Sequence, residues 1–203
     1  MVRTIDGDQR RRDVADAAWR LILRAGLDGV SVRKVAAEAG LSTGSVRHFF
    51  TTQAGLQRFA MQALAERVAD RIAHAAREPD LRARIRGMLR ALLPLTDESA
   101  AEFTVWLHYV LRAVTEPELA LVARATFDQV RELICHVLDG ARAVGLVAAD
   151  LDVPHAAAEL NALIDGLTFD AITAPHLMSR ADAAALLDTA LDRLFTAGPK
   201  GAS

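Results

Sequence analysis

Arg33, Thr43, Gly44, Ser45, Arg47 and His48 fall within one short stretch, and their types suit contact with a nucleic acid. A guanidinium such as that of Arg33 or Arg47 can grip a guanine edge through two parallel N–H donors, or a phosphate oxygen. The Thr43 hydroxyl and methyl can read a base or a thymine methyl. Gly44 lets the backbone itself come close. Arg47 and His48 point into the groove or onto its wall, with Phe49 next in line. Ser31, Ser45, Thr52 and Gln53 bring hydroxyls, an amide and helix amino-terminal N–H groups suited to phosphate. A solvated surface with ordinary helix caps is the plain alternative, and for Ser31 and Lys34 it weighs as heavily as contact.

Such side chains read DNA only if a rigid element holds them. The run SVRKVAAEAGLSTGSVRHFFTTQAGL, residues 31–56, supplies one, because Ala36, Gly40 and Val46 are spaced as a helix-turn-helix needs. Its two short helices cross at about 90–120°, so the first must be small where the second passes, and the turn wants a left-handed residue. Ala36 is small and Gly40 is free to be left-handed. Val35, Ala39, Leu41, Val46 and Phe49 or Phe50 then form the apolar underside.

The stretch resembles the amino-terminal signature of the TetR family of transcriptional regulators. The resemblance runs over about residues 9–60 and rests on Gly26, Gly29-Val30-Ser31-Val32, Val35-Ala36, Ala39-Gly40-Leu41-Ser42, Gly44-Ser45-Val46, Phe49-Phe50 and Leu56. Three positions depart from the family pattern. Arg47 stands where a tyrosine is usual, and Gln53 where a phosphate-binding lysine is usual. Gly55 replaces the acid that would complete a capping box with Thr52. A neutral Gln53 implies a shallower salt dependence from that contact, partly offset by Arg47.

The chain has 203 residues with a formal charge of −2, but the charge is unevenly spread. Residues 1–58 carry ten Lys and Arg against six Asp and Glu, a net of +4; the remainder carries fourteen against twenty, a net of −6. A basic head on an acidic body suits a protein that meets DNA at one end. Arg10, Arg11 and Arg12 could extend along the DNA backbone, although such runs more often mark a solvated helix start. The single cysteine, Cys135, rules out an intrachain disulfide. No apolar run reaches the length of a membrane span, and the polar start MVRTIDGDQRRR lacks the core of a signal peptide. A cytoplasmic location is expected.

Apolar periodicity and helix breakers predict an all-α, nine-helix, two-domain chain. The helices are expected over 9–25, 33–39, 43–49, Thr52 to about Arg77, then 80–93, 99–114, 117–144, 154–173 and 180–196. The expected division is a helix-turn-helix head over 1–52, a helical ligand-binding and dimerisation domain over 53–197, and a disordered tail over 198–203. The last two long helices are apolar on more than one side, and a helix of that kind needs two partners. A two-fold interface of four helices, through Leu160, Leu163, Leu167, Leu187 and Leu191, is the sharper reading, and a monomer core the blander one. The family resemblance implies the dimer.

Phe103, Trp106 and Tyr109 recur every three residues and supply three of the ten aromatic residues. They read either as plain core or as one wall of an effector cavity, which the resemblance implies for the second domain. Phe127, Phe169 and Met88 are further lining candidates, with His108, Asn161 and Asp165 as polar fixtures. A catalytic reading is weak. The six histidines make no chelating pair on one helical turn, and Cys135 and His136 point apart. No phosphate loop is present, and no cofactor or metal is expected. The reading is therefore a dimeric, effector-responsive DNA-binding regulator, a repressor in kind, binding a near-palindromic operator and released by a small, partly apolar molecule. Its alternatives are control by a protein partner or by Cys135 oxidation, and a helical enzyme or scaffold carrying this head.

Overall fold

Alanine, leucine and arginine favour helix, and Gly and Pro punctuate them. In the computed structural model nine α-helices follow one another among the described residues, which are 3–26, 29–47 and 53–195. They are α1 (Arg3–Ala25), α2 (Val32–Glu38), α3 (Thr43–Arg47), α4 (Gln53–Ala75), α5 (Leu81–Arg90), α6 (Asp97–Ala113), α7 (Pro117–Ala143), α8 (Val153–Thr173) and α9 (Arg180–Leu194). The all-α, nine-helix architecture stands as expected. Helix α1 begins earlier than its apolar periodicity suggested, because its first residues are polar and carry no periodic signal. None of the described helices is long and apolar enough to cross a membrane.

Local chemistry sets the ends. Asp80 accepts from the Ala83 N–H at 2.7 Å at the start of α5, and Asp152 accepts from the His155 N–H at 3.1 Å at the start of α8. Ser179 and Asp182 form a reciprocal capping box on α9. Each satisfies amide groups that a helix start leaves open.

The helices form two compact units, and the division runs through α4, α6 and α7. The first holds residues up to Arg67 together with Thr104–Arg124; the second holds Val68–Phe103 and everything from Ala125 on. In the first unit Val14, Ala18, Ile22, Val35, Ala36 and Val46 are buried, as are Leu56, Ala60 and Leu64 of α4. Arg67 fastens α4 to α1 there: its guanidinium is 3.2 Å from Asp16 and lies over the Trp19 ring at 5.0 Å.

The second unit is built around α8, which presents Ala157, Leu160, Ile164 and Leu167 to Leu89, Leu93, Ile134, Leu138, Leu187 and Leu191. Gly87 of α5 passes close to Ala75 of α4; a Cβ there would be 3.1 Å from the alanine methyl. Outside this core, Arg86 and Arg90 of α5 pair with Asp192 and Asp188 of α9. Arg82 and Arg86 also cover the Phe195 ring.

Leu160, Leu167, Leu187 and Leu191, expected at a two-fold interface, are buried within the chain's second unit, and Leu163 is half-buried. Truncating Leu187, which is fully buried, to alanine is expected to cost about 2–5 kcal/mol in chemical denaturation, through lost burial and a residual cavity. Leu177→Ala, at a side chain 76% exposed, is expected to change stability by less than about 0.5 kcal/mol.

Candidate functional site

The head places its candidate DNA residues on a stiff turn. Gly40 adopts φ +65°, the left-handed conformation that ends α2. The Leu41 N–H then donates back to the Ala36 carbonyl at 2.9 Å, closing the helix end. Ser42 caps α3: its Oγ accepts from the Ser45 N–H at 3.1 Å and shares a 2.9 Å hydrogen bond with the Ser45 hydroxyl. Ser31 caps α2, accepting from the Lys34 N–H. Beneath, Val35, Ala36 and Val46 are buried.

Arg33, Thr43, Gly44 and Arg47 are all exposed. Gly44 has open space where a side chain would stand, its nearest neighbour being Ser42 Oγ at 3.8 Å. Ser45 is half-buried and bonded to Ser42. Lys34 is engaged locally, its Nζ donating to the Gly29 carbonyl at 2.7 Å. His48, Phe49 and Thr52 lie outside the described residues; Gln53 opens α4, and its side chain is likewise outside them.

An ion cluster docks α2 on α1. Glu38 accepts from Arg20 Nε at 3.0 Å and from both terminal nitrogens of Arg24. The hydrogen bonds from Arg24 and then Arg20 hold its carboxyl below the usual carboxylate range. A depressed acid stabilises the fold above its unfolded pKa, and that contribution is lost as the pH falls through the folded value. Glu38→Gln is therefore expected to lower the melting temperature at neutral pH. The difference from the wild-type chain should shrink as the pH drops below the ordinary carboxylate range, which paired melts across pH would check.

The expected effector residues are divided between the two units. Tyr109 is wholly buried in the first unit, and its hydroxyl donates to the Leu119 carbonyl at 3.2 Å. Burial pushes that phenol's pKa up, and Arg58 partly opposes the rise. The Trp106 ring stacks on it, with centroids 6.0 Å apart. His108 of the same helix is exposed. In the second unit Phe103 is half-buried, while Phe127 and Phe169 are 41% and 51% exposed.

Asn161 is buried and donates to Asp165 at 2.7 Å, whereas Asp165 lies on the open side of α8. Partial burial raises the Asp165 pKa, against Arg131 and Asn161, which lower it. A three-residue spacing drifts around a helix of 3.6 residues per turn, which is why the α6 aromatics do not line up. The buried stripe of α6 is instead Ser99, Glu102, Val105 and Tyr109.

Two polar features escaped the sequence reading. In the first unit, Gln57 of α4 is buried with its amide nitrogen bonded to nothing among the described residues. In the second unit, Glu102 of α6 is only 1% exposed, and its Oε2 lies 2.7 Å from Arg71 Nη1 of α4. The signal was present: Gln57 and Arg71 fall on the same stripe of α4 as Leu64, and Glu102 lies one turn before Val105. Among the described residues, no group of three or more His, Cys, Asp or Glu is arranged to hold a metal ion.

Two family models cover most of the chain. Residues 14–58 match that of the bacterial regulatory proteins of the tetR family, and residues 79–196 match the carboxy-terminal region of BetI-type transcriptional repressors. The chain is 34% identical over 177 residues to the HTH-type transcriptional regulator PksA of Bacillus subtilis, covering 86% of this chain and 84% of that protein. A transcriptional regulator of Rhodococcus sp. RHA1 shares 30% identity and a TM-score of 0.75, over 91% of this chain and 95% of the other. A putative regulator of Saccharomonospora viridis, solved in complex with choline, has the same fold at 24% identity and a TM-score of 0.80, over 93% and 98% of the two chains. With its turn built around Gly40, its exposed Arg33 and Arg47 and a BetI-type second half, the chain belongs to the TetR family of DNA-binding transcriptional regulators.

Proposed function

We propose that the protein is a homodimeric repressor which binds a near-palindromic operator and is released by a small organic effector. The observation that carries the DNA half of this reading is the exposure of Arg33, Thr43, Gly44 and Arg47 together on a capped turn, within a segment of net charge +4 (ten basic against six acidic residues over 1–58). Helix α3 enters the major groove by its amino-terminal end, with Thr43 and Gly44 against base edges and Arg47 on a guanine or the groove wall. Ser45, His48, Phe49, Thr52 and Gln53 complete the contact surface. Two such helices, related by a two-fold axis, meet successive grooves about 34–36 Å apart.

The self-association surface is the open side of α8 and α9. Ala162, Gly166 and Phe169 of α8 and Ala185 and Leu186 of α9 are exposed there and provide an apolar, small-residue face. A second copy related by two-fold symmetry covers it as a four-helix interface. This replaces the leucines that the chain spends on its own core.

The effector site belongs to the BetI-type part of the chain. Choline, which the Saccharomonospora viridis regulator holds, is the first compound to test. Helix α4 starts in one compact unit and ends in the other, and it is the lever: an effector that prefers one position of α4 shifts the separation of the two heads. Repression by occlusion and release by the effector follow from that coupling.

Arg47→Ala is expected to lower operator affinity by about tenfold or more, on the scale of one lost bidentate contact, while the dimer mass in light scattering stays the same. Gly44→Leu is expected to abolish operator binding without lowering the melting temperature, since the added side chain meets open space in the free protein. Unchanged affinity in fluorescence anisotropy for either variant would remove that residue from the reading surface.

A further inference from the structure

Arg71 and Glu102 make an incomplete pair, in which the carboxylate is buried and the arginine side chain is a third exposed. Glu102 is 99% withdrawn from solvent, and neither of its carboxylate oxygens accepts a hydrogen bond among the described residues, although Oε2 is 2.7 Å from Arg71 Nη1. On the other side of the pair, Arg71 Nε and Nη2 are also buried and donate to nothing. A buried carboxylate and guanidinium left short of partners are costly, and such groups are normally satisfied by protein, ligand or ordered water. The pair does not serve the DNA surface, and the fold does not need it for a cap or a turn. Val68 and Ile72, on either side of Arg71, pack on the apolar core of the second unit.

From this we infer that Arg71 and Glu102 are the polar end of the effector site, and that they recognise an uncharged hydroxyl. The inference rests on the proposed effector response. The pair is neutral in sum, so a charged head placed on it would leave one net charge buried. What the pair lacks is a donor at each Glu102 oxygen and an acceptor at each of Arg71 Nε and Nη2. A single hydroxyl serves both sides at once, donating its proton to one oxygen of the Glu102 carboxylate while its own oxygen accepts from Arg71 Nε or Nη2. The effector is thus an alcohol whose remaining body is apolar or cationic and lies away from the pair; choline meets the first condition. Because Arg71 is on α4 and Glu102 on α6, a hydroxyl bound to both fixes these two helix segments together and gives each side of the pair a partner it otherwise lacks.

The test uses the purified full-length protein on its selected operator. Choline and a series of straight-chain primary alcohols are each compared with the same molecule bearing hydrogen in place of the hydroxyl. Binding is read by thermal shift, and function by release of labelled operator. The expected result is that at least one hydroxyl compound binds and releases DNA, with its deoxy partner weaker by about tenfold or more, since a site built to hydrogen-bond a hydroxyl rejects the analogue lacking it. A double Arg71→Leu, Glu102→Leu variant removes both charges at once, which avoids stranding either, and is expected to fold, bind operator and lose the discrimination.

Equal response to the hydroxyl and deoxy compounds, no response to any hydroxyl compound, or wild-type discrimination in the double variant would overturn the inference. The comparison on the wild-type chain holds whether or not the variant folds. If a compound releases the DNA without needing its hydroxyl, the regulator reading stands and only this assignment falls. If no operator is bound at all, the regulator reading itself falls.

Discussion

Everything in the DNA-reading head depends on one close approach. Helices α2 and α3 have seven and five residues, far too short to persist alone, since isolated helices under about 12–15 residues are marginal in water. They exist because Gly40 turns the chain left-handed and because Val35, Ala36 and Val46 can then be buried together with residues of α1. A Cβ at Gly40 would meet no neighbouring atom, so the constraint there is purely the backbone angle. Ser31 and Ser42 close the open helix starts, and Glu38 ties α2 to Arg20 and Arg24 of α1. The outward side chains of Arg33, Thr43 and Arg47 are exposed on this rigid frame.

The second unit solves a different problem. Its central helix α8 is apolar enough to be enclosed, and the chain encloses it with α9 and parts of α5 and α7. Arginine–aspartate pairs between α5 and α9 then fix the register of these helices at the rim. These pairs are half-exposed, so they contribute orientation more than stability. The ionic contact of Arg71 with the buried Glu102 is of another kind: the carboxylate sits where a hydrophobic residue would serve stability better, and that is the reason to look for a ligand there.

Much of the fold was legible because its signals are local. Gly40, the breakers Pro79 and Pro94, Gly145 and the cap Asp152 act within a few residues, and the helices end near them. The faces were harder. Apolar spacing shows that α8 and α9 have two apolar sides without showing which side the chain buries within itself, as it does Leu160 and Leu187. Phe103, Trp106 and Tyr109 suggested a wall because aromatic residues are conspicuous, yet the buried stripe of α6 shares only Tyr109 with them and runs on through Ser99, Glu102 and Val105. Arg71 and Glu102 were passed over since charged residues are read as solvated by default; their burial depends on a partner thirty-one positions away in the chain. The exposure of Arg33, Thr43, Gly44 and Arg47 was legible because the geometry behind it is set within a single short segment.

The central claim is that this head reads DNA sequence as one half of a two-fold pair. The most direct measurement is selection of the purified protein against a randomised duplex pool at moderate salt, followed by sequencing of the retained DNA. The account predicts enrichment of a near-palindrome whose half-site centres are separated by about one helical turn or a multiple of it. Retention without any enriched sequence would contradict it, leaving a basic surface that binds phosphate and reads nothing.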